Sequence, residues 1–286
     1  MKIALSAVLI VLFCGSHSTF AQAQVRTASL VVHIEGKRKT PSINSADVIV
    51  FDNDQKLDAS TVKIEPAFGT DGVFAILVDA SGSNQDKVAF TKRSLMDIFE
   101  AASSSGLSKA MLFTFAETLE GGKGWVSKAE VQQGISTFQP KRGAPSPLYG
   151  AIVEVAKSLG TATTDARRLM FVVTDGDDTS AGVTSQDAVD ACLKYSVTIV
   201  PIGLLSNGKE KIGKANLLAL AKGTGGSAVI LESPANVNAL VTSILKSEYI
   251  VTFVPANNSG LHRVKMEMSD APNGLSLQAP AAYYAR

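Results

Sequence analysis

The chain has 286 residues, with 27 Lys or Arg against 26 Asp or Glu. A content of 45% hydrophobic and 19% charged residues excludes a chain that is disordered, collagen-like or coiled-coil throughout. The near-neutral balance excludes the basic surface that nucleic acid requires. Two cysteines exclude a disulfide scaffold, and the length allows one large domain or two small ones with a real core.

Residues 1–23 read as a secretory signal peptide. Lys2 is the positive start, Ile3 to Phe13 is apolar apart from Ser6, and Ala21-Gln22-Ala23 offers small residues for cleavage. The apolar run is about half the roughly 20 residues of a membrane span. Phe13 is too bulky before Cys14 for a lipoprotein site. No later stretch is long and apolar enough to span, so the expectation is an exported protein, periplasmic or extracellular, with no transmembrane segment after cleavage. Cleavage removes Lys2 and Cys14, leaving equal numbers of basic and acidic residues and Cys192 alone. Cys192 falls in an apolar helical pattern with Ala188, Val189, Ala191 and Tyr195, which reads as packing rather than a nucleophile.

In chain order, Ser29–Ile34, Ala46–Phe51 and Ser60–Ile64 are strand-like with no helix between them. Strands and helices then alternate. Val73–Val78 is an apolar run fit for a strand buried on both faces, and residues 86–102 have helical spacing. Ala110–Phe115 is a strand, 128–138 a short helix, Leu148–Leu159 a helix, Leu169–Val173 a strand and 185–195 a helix. Val197–Leu204, Ala215–Ala221, Ser227–Leu231 and Pro234–Lys246 continue as strand, helix, strand and helix. This alternation predicts a doubly wound α/β fold with a mostly parallel sheet. Tyr249–Val254 is a further strand. Asn257–Gly260 reads as a hairpin turn. Strict alternation from Arg263 to Met268 marks a half-buried antiparallel strand, and Leu275–Leu277 a last one. The boundaries expected are a 24–70 β segment, a 71–247 α/β domain and a 248–286 β segment. Each flank is too short for its own core, so the two are expected to pair into one small β-module.

Three pieces carry chemistry. The first central strand runs into Asp79-Ala80-Ser81-Gly82-Ser83, a carboxylate and two hydroxyls at alternate positions across a glycine turn. Such oxygens suit a hard cation such as Mg²⁺, which prefers about six oxygen ligands. Leu169–Val173 runs into Thr174-Asp175-Gly176-Asp177-Asp178. Between them Ser146 lies in Pro145-Ser146-Pro147, which opens a helix; Ser-Pro there is also a good N-cap followed by Pro. In the strand order 3-2-1-4-5-6 the first and fourth central strands are neighbours, and ligands bind beyond their carboxyl ends. If Val73–Val78 is strand 1 and Leu169–Val173 is strand 4 of that order, Asp79 and Asp175 meet there. Gly223–Gly226 precedes a strand rather than opening a helix, so it fails the phosphate-loop context.

The Asp-x-Ser-x-Ser end of one strand, a hydroxyl on a loop before a helix and Thr-Asp-Gly after a later strand resemble the von Willebrand factor type A domain. The flanks resemble the von Willebrand factor A-related secreted proteins of bacteria such as Acidobacteria. The resemblance implies a metal-ion-dependent adhesion site (MIDAS) whose five ligand positions fall on Asp79, Ser81, Ser83, Ser146 and Asp175, with Mg²⁺, Mn²⁺ or Ca²⁺ as the ion. Asp177 and Asp178 are candidates for a supporting role around it. Three positions depart from the pattern: Ser146 stands where Thr is usual, Asn84 where Met is frequent and Gly150 where Asp is frequent in the bacterial proteins. Ser keeps the oxygen but lacks the methyl that restricts its rotamers.

The implied function is a binding module, not an enzyme: a cation with an open position recognises an Asp or Glu of a partner protein. A Mg²⁺-dependent hydrolase would need a base or nucleophile beside the ion and a cation for phosphate. No Lys or Arg lies within the metal loops, the nearest being Lys87 and Arg142. A structural envelope protein with an incidental metal site is the other alternative.

Overall fold

The computed structural model describes residues 26–36, 43–162, 167–205, 211–231, 235–257, 259–269 and 274–285. The expected signal peptide with Cys14, and Asn258 of the expected hairpin turn, lie outside the described residues.

In chain order the elements begin with strands β1 (Ala28–Glu35), β2 (Val48–Asp52), β3 (Gln55–Lys56), β4 (Lys63–Pro66) and β5 (Gly72–Asp79). Helix α1 (Val88–Ser104), strands β6 (Leu107–Phe115) and β7 (Leu119–Gly121), and helices α2 (Lys128–Thr137) and α3 (Leu148–Ala162) follow. Next come β8 (Arg167–Thr174), α4 (Ser185–Tyr195), β9 (Val197–Leu204), α5 (Lys211–Thr224), β10 (Val229–Leu231) and α6 (Val237–Lys246). The last strands are β11 (Glu248–Phe253), β12 (Gly260–Met268), β13 (Ser276–Gln278) and β14 (Ala282–Ala285).

β5, β8 and β9 are buried at every residue, as continuous apolar runs require when helices cover both faces. The central sheet has the order β10-β9-β8-β5-β6-β7. Counted within the domain, that is the 3-2-1-4-5-6 order read from the other edge. All its pairings are parallel except β6 with β7. Alternate residues feed two cores. Phe74, Ile76 and Val78 pack with Leu95 and Ile98 of α1 and Val241 and Leu245 of α6. Val73, Ala75 and Leu77 pack with Ile152 and Val155 of α3 and Val189 and Cys192 of α4. Cys192 is fully buried, and burial pushes its thiol pKa up. β7 was not foreseen; it is three residues long, too short for periodicity to register.

The flanks form a β-sandwich. One sheet runs β13-β1-β11-β4, the other β14-β12-β2-β3. Val32, Ile34, Val251 and Phe253 of the first face Val48, Val50, Val264 and Met266 of the second. The expected hairpin between β11 and β12 is absent, because the two strands lie in different sheets. The segment between them is an arch, and its Ala256 N–H donates to the buried Asp52 carboxylate at 2.6 Å. Asp52 also lies 2.7 Å from His262 Nδ1, with Tyr283 Oη 3.1 Å from the same nitrogen. In β12 the inward alternation begins at His262, while Leu261 is exposed. Asp52 and Tyr283 both meet the ring at Nδ1, while Nε2 is buried with no hydrogen-bond partner among the described residues.

A second buried polar group ties sandwich to sheet. Arg167, at the amino end of β8, forms an ion pair with Glu248 of β11 and donates to the Ala67 carbonyl at 2.9 Å. Both side chains are almost completely buried. Removing one member of such a pair strands a charge, so Arg167→Met is expected to cost about 3 kcal/mol or more. Adding Glu248→Leu should restore most of the loss. Urea unfolding of both variants measures this; a single-variant cost below about 1 kcal/mol would contradict the clamp.

Candidate metal centre

The parallel register of β5 and β8 builds the centre. Val78 is paired with Val173, so the next residues, Asp79 and Thr174, leave their strands side by side. Thr174 Oγ1 donates to Asp79 Oδ2 at 2.7 Å. The other Asp79 oxygen accepts the Ser81 backbone N–H at 2.8 Å. That bond holds the start of the short 3-10 turn Gly82–Lys87, which interposes the hydroxyl motif before α1 begins. Ser81 Oγ and Ser83 Oγ lie 3.2 Å apart. Ser81 is buried and Ser83 is exposed at the mouth.

Ser146 reaches the same carboxylate from the loop before α3. Its Oγ lies 3.0 Å from Asp79 Oδ2 and 3.2 Å from the Asp177 carbonyl. The N-cap role open to this hydroxyl is filled by others. Asp178 Oδ1 accepts the Tyr149 N–H at 3.0 Å and Ser180 Oγ accepts the Gly150 N–H at 3.1 Å. The free N–H groups at the start of α3 are thus capped from the loop after β8, which leaves the Ser146 hydroxyl facing Asp79. Space at Gly150 is open, since a Cβ there would meet only Ser180 Oγ at 3.8 Å.

Asp175 is buried beside the same cleft, and its Oδ1 accepts the Asp177 N–H at 3.2 Å. Its loop is fixed by close backbone packing. Gly176 has φ +84°, and a Cβ on it would lie 2.5 Å from the Gly213 carbonyl oxygen of α5, so only glycine fits. Asn216 of α5 donates to the Gly176 carbonyl at 3.0 Å. Asp177 is exposed, so of the two supporting candidates Asp178 acts through its cap, and Asp177 through its backbone.

Sequence reasoning passed over three neighbours. Thr174 was read only as part of its motif, although strand register aligns its hydroxyl with Asp79. Asn84, where the family often has Met, is buried with Nδ2 3.5 Å from Ser81 Oγ. Lys87 was placed outside the metal loops, but its long stem carries Nζ to 4.0 Å from Asp175 Oδ2.

A family model described as the von Willebrand factor type A domain matches residues 74–242, more than half of the chain. The chain belongs to the von Willebrand factor type A domain family. Solved structures with the vWA fold superpose on it at low identity. A von Willebrand factor type A protein from Catenulispora acidiphila is 14% identical with a TM-score of 0.50, covering 92% of this chain and 75% of that one. BatB from Bacteroides thetaiotaomicron is 17% identical with a TM-score of 0.50, covering 62% and 97%. Proximal thread matrix protein 1 of the mussel byssus, described as having a zinc-occupied MIDAS motif, is 16% identical with a TM-score of 0.51, covering 62% and 48%. The chain thus spans about half the length of the mussel protein. No curated protein matches the sequence. Among the described residues no helix is long and apolar enough to cross a membrane.

The residues of this vWA domain fit a hard divalent cation. The donors at the cleft are all oxygens, and among the described residues no group of three or more His, Cys, Asp or Glu side chains offers a rival site. Burial pushes the Asp79 carboxyl above its ordinary pKa; bonds from Ser81 and Thr174 pull it back, and the charge of Asp175 adds to the rise. A carboxylate that its hydrogen bonds leave under-compensated is one that a cation would stabilise. With metal removed by EDTA, the folded state holds its Asp79 proton to higher pH than the unfolded chain does. This group's contribution to stability therefore rises as pH falls through the raised value. Wild type is expected to gain stability relative to Asp79→Asn as the pH is lowered from neutrality toward the ordinary carboxylate range, measured by parallel thermal melts in EDTA. A difference that stays flat, or moves the other way, would contradict the buried-charge account.

Proposed function

We propose that the chain is an exported, metal-dependent protein-binding module that recognises an acidic residue of its partner. The observation that carries this reading is the convergence of the Ser146 and Thr174 hydroxyls on one buried carboxylate, Asp79, with Asp175 following the neighbouring strand at the carboxyl end of the sheet. Asp79, Ser81 and Ser83 would organise the ion, Ser146 would complete the oxygen set, and Asp175 would bind it directly or through water. When bound, Mg²⁺, Mn²⁺ or Ca²⁺ supplies an electrophilic centre with room for one further oxygen, which an Asp or Glu of a partner protein provides. Zinc joins the ions to be tried because the mussel structure is described as carrying it.

Export is proposed on the pattern of residues 1–23. Among the described residues Lys87 reaches the centre, and the reading is a binder rather than a hydrolase because that lysine is engaged. Its Nζ donates to the Leu204 carbonyl at 2.6 Å and lies beside Asp175. Generic phosphate esters with Mg²⁺ or Mn²⁺ should accordingly show no turnover above a metal-only blank.

The direct test is thermal unfolding of residues 24–286 with millimolar divalent ion or EDTA, beside Asp79→Ala. At about 100 times its dissociation constant the metal should add roughly 2.7 kcal/mol, or about 5–10 °C in Tm for a chain of this size. The shift should vanish in the variant. Equal melting of wild type with metal and with EDTA would defeat the proposal.

A further inference from the structure

Lys87 ends the 3-10 turn that carries Ser83, immediately before α1. Its side chain is 15% exposed, so the ammonium is held in the cleft wall rather than in bulk water. It donates to the carbonyl of Leu204, the last residue of β9, at 2.6 Å and stands 4.0 Å from Asp175 Oδ2. One side chain therefore links the turn after β5, the loop after β8 and the end of β9.

The charge it brings matters more than the tie. The affinity of an oxygen site for a cation follows the charge count of its ligands. Asp79 and Asp175 are the carboxylates of the proposed ligand set. With the ammonium beside Asp175, the ionised centre carries one net negative charge rather than two. Loaded with a divalent ion, it carries one net positive charge, whereas without the lysine it would be neutral.

We propose that Lys87 is a resident counter-charge of the metal centre, a positioning residue that steadies Asp175 and sets the balance between cation and partner. It weakens the hold on the divalent ion relative to what two carboxylates alone would give. In return the loaded centre stays electropositive, which favours an anionic group on the partner. The inference rests on the metal-centre reading above and specifies how that centre is tuned.

The test is calorimetric titration of the folded chain, residues 24–286, with Mn²⁺ and Mg²⁺. Lys87→Met removes the charge and keeps the stem. Lys87→Gln removes the charge and keeps a polar, hydrogen-bonding end on a shorter stem, a second neutral variant that guards against a folding defect peculiar to Lys87→Met. Lys87→Arg keeps the charge. Removing the positive charge that stands 4.0 Å from Asp175 Oδ2 is expected to tighten divalent-ion binding about tenfold in Lys87→Met and Lys87→Gln. Lys87→Arg should stay within about twofold of wild type, and the gap should narrow in roughly 0.5 M salt. Unchanged or weaker metal binding in the folded neutral variants would overturn the proposal and leave Lys87 a mere tie. Tightening in Lys87→Arg equal to that in Lys87→Met would overturn it too. A wild type that binds no ion, like Asp79→Ala, would overturn the metal centre itself and is thereby told apart from a failure confined to Lys87.

Discussion

A carboxylate buried at the end of an apolar strand is the constraint around which this molecule is arranged. β5 is buried on both faces, and its last residue, Asp79, has almost no exposed surface. An ionised group in that position is costly unless neighbours satisfy it. Ser81, Ser146 and Thr174 come from three different segments to do so, and each contact fixes a loop. The cap that Asp178 and Ser180 place on α3 frees Ser146 for the task. The packing of Gly176 on Gly213 ties the position of Asp175 to α5. The centre is thus a product of strand register and helix capping as much as of its five oxygen-bearing side chains.

The other buried charges have a different character. Arg167 with Glu248, and Asp52 with His262, join segments distant in sequence. They specify which strand packs where. Asp52 also accepts the N–H of the arch that leads the chain from one sheet of the sandwich to the other. A polar pair in a core is tolerated only in one arrangement, which favours a single pairing of the flanking strands.

Much of this was legible in the sequence. The apolar runs at Val73–Val78 and Val197–Leu204 exist because both sheet faces are covered, so composition alone reveals them. The α/β class followed from the alternation of elements, but the meeting of the β5 and β8 ends rested on taking Leu169–Val173 as the fourth strand of the order, a place it holds only because the unforeseen β7 precedes it. Two features were not legible, and a third, the part played by Ser146, was legible only through the family resemblance, each for a physical reason. The arch after β11 carries residues typical of a tight turn, and only the two-sheet core shows that the chain crosses rather than folds back. Ser146 before a proline has the signature of a cap, and the competitor for that role, Asp178, lies about thirty residues away. Lys87 was discounted by distance along the chain, but a lysine stem spans several ångströms and the turn aims it inward.

The α/β domain is an insertion into the sandwich. It leaves from β4 and returns into β11, and those two strands are hydrogen-bonded neighbours. The Arg167–Glu248 pair clamps the same end, at the amino edge of the central sheet, while the proposed metal centre lies at the opposite edge. A partner pulling on the centre would draw on β5 and β8 along their length. The force would reach the sandwich through two covalent connections side by side, together with a buried ion pair. Such an attachment resists peeling, because neither connection can be loaded without its neighbour sharing the strain.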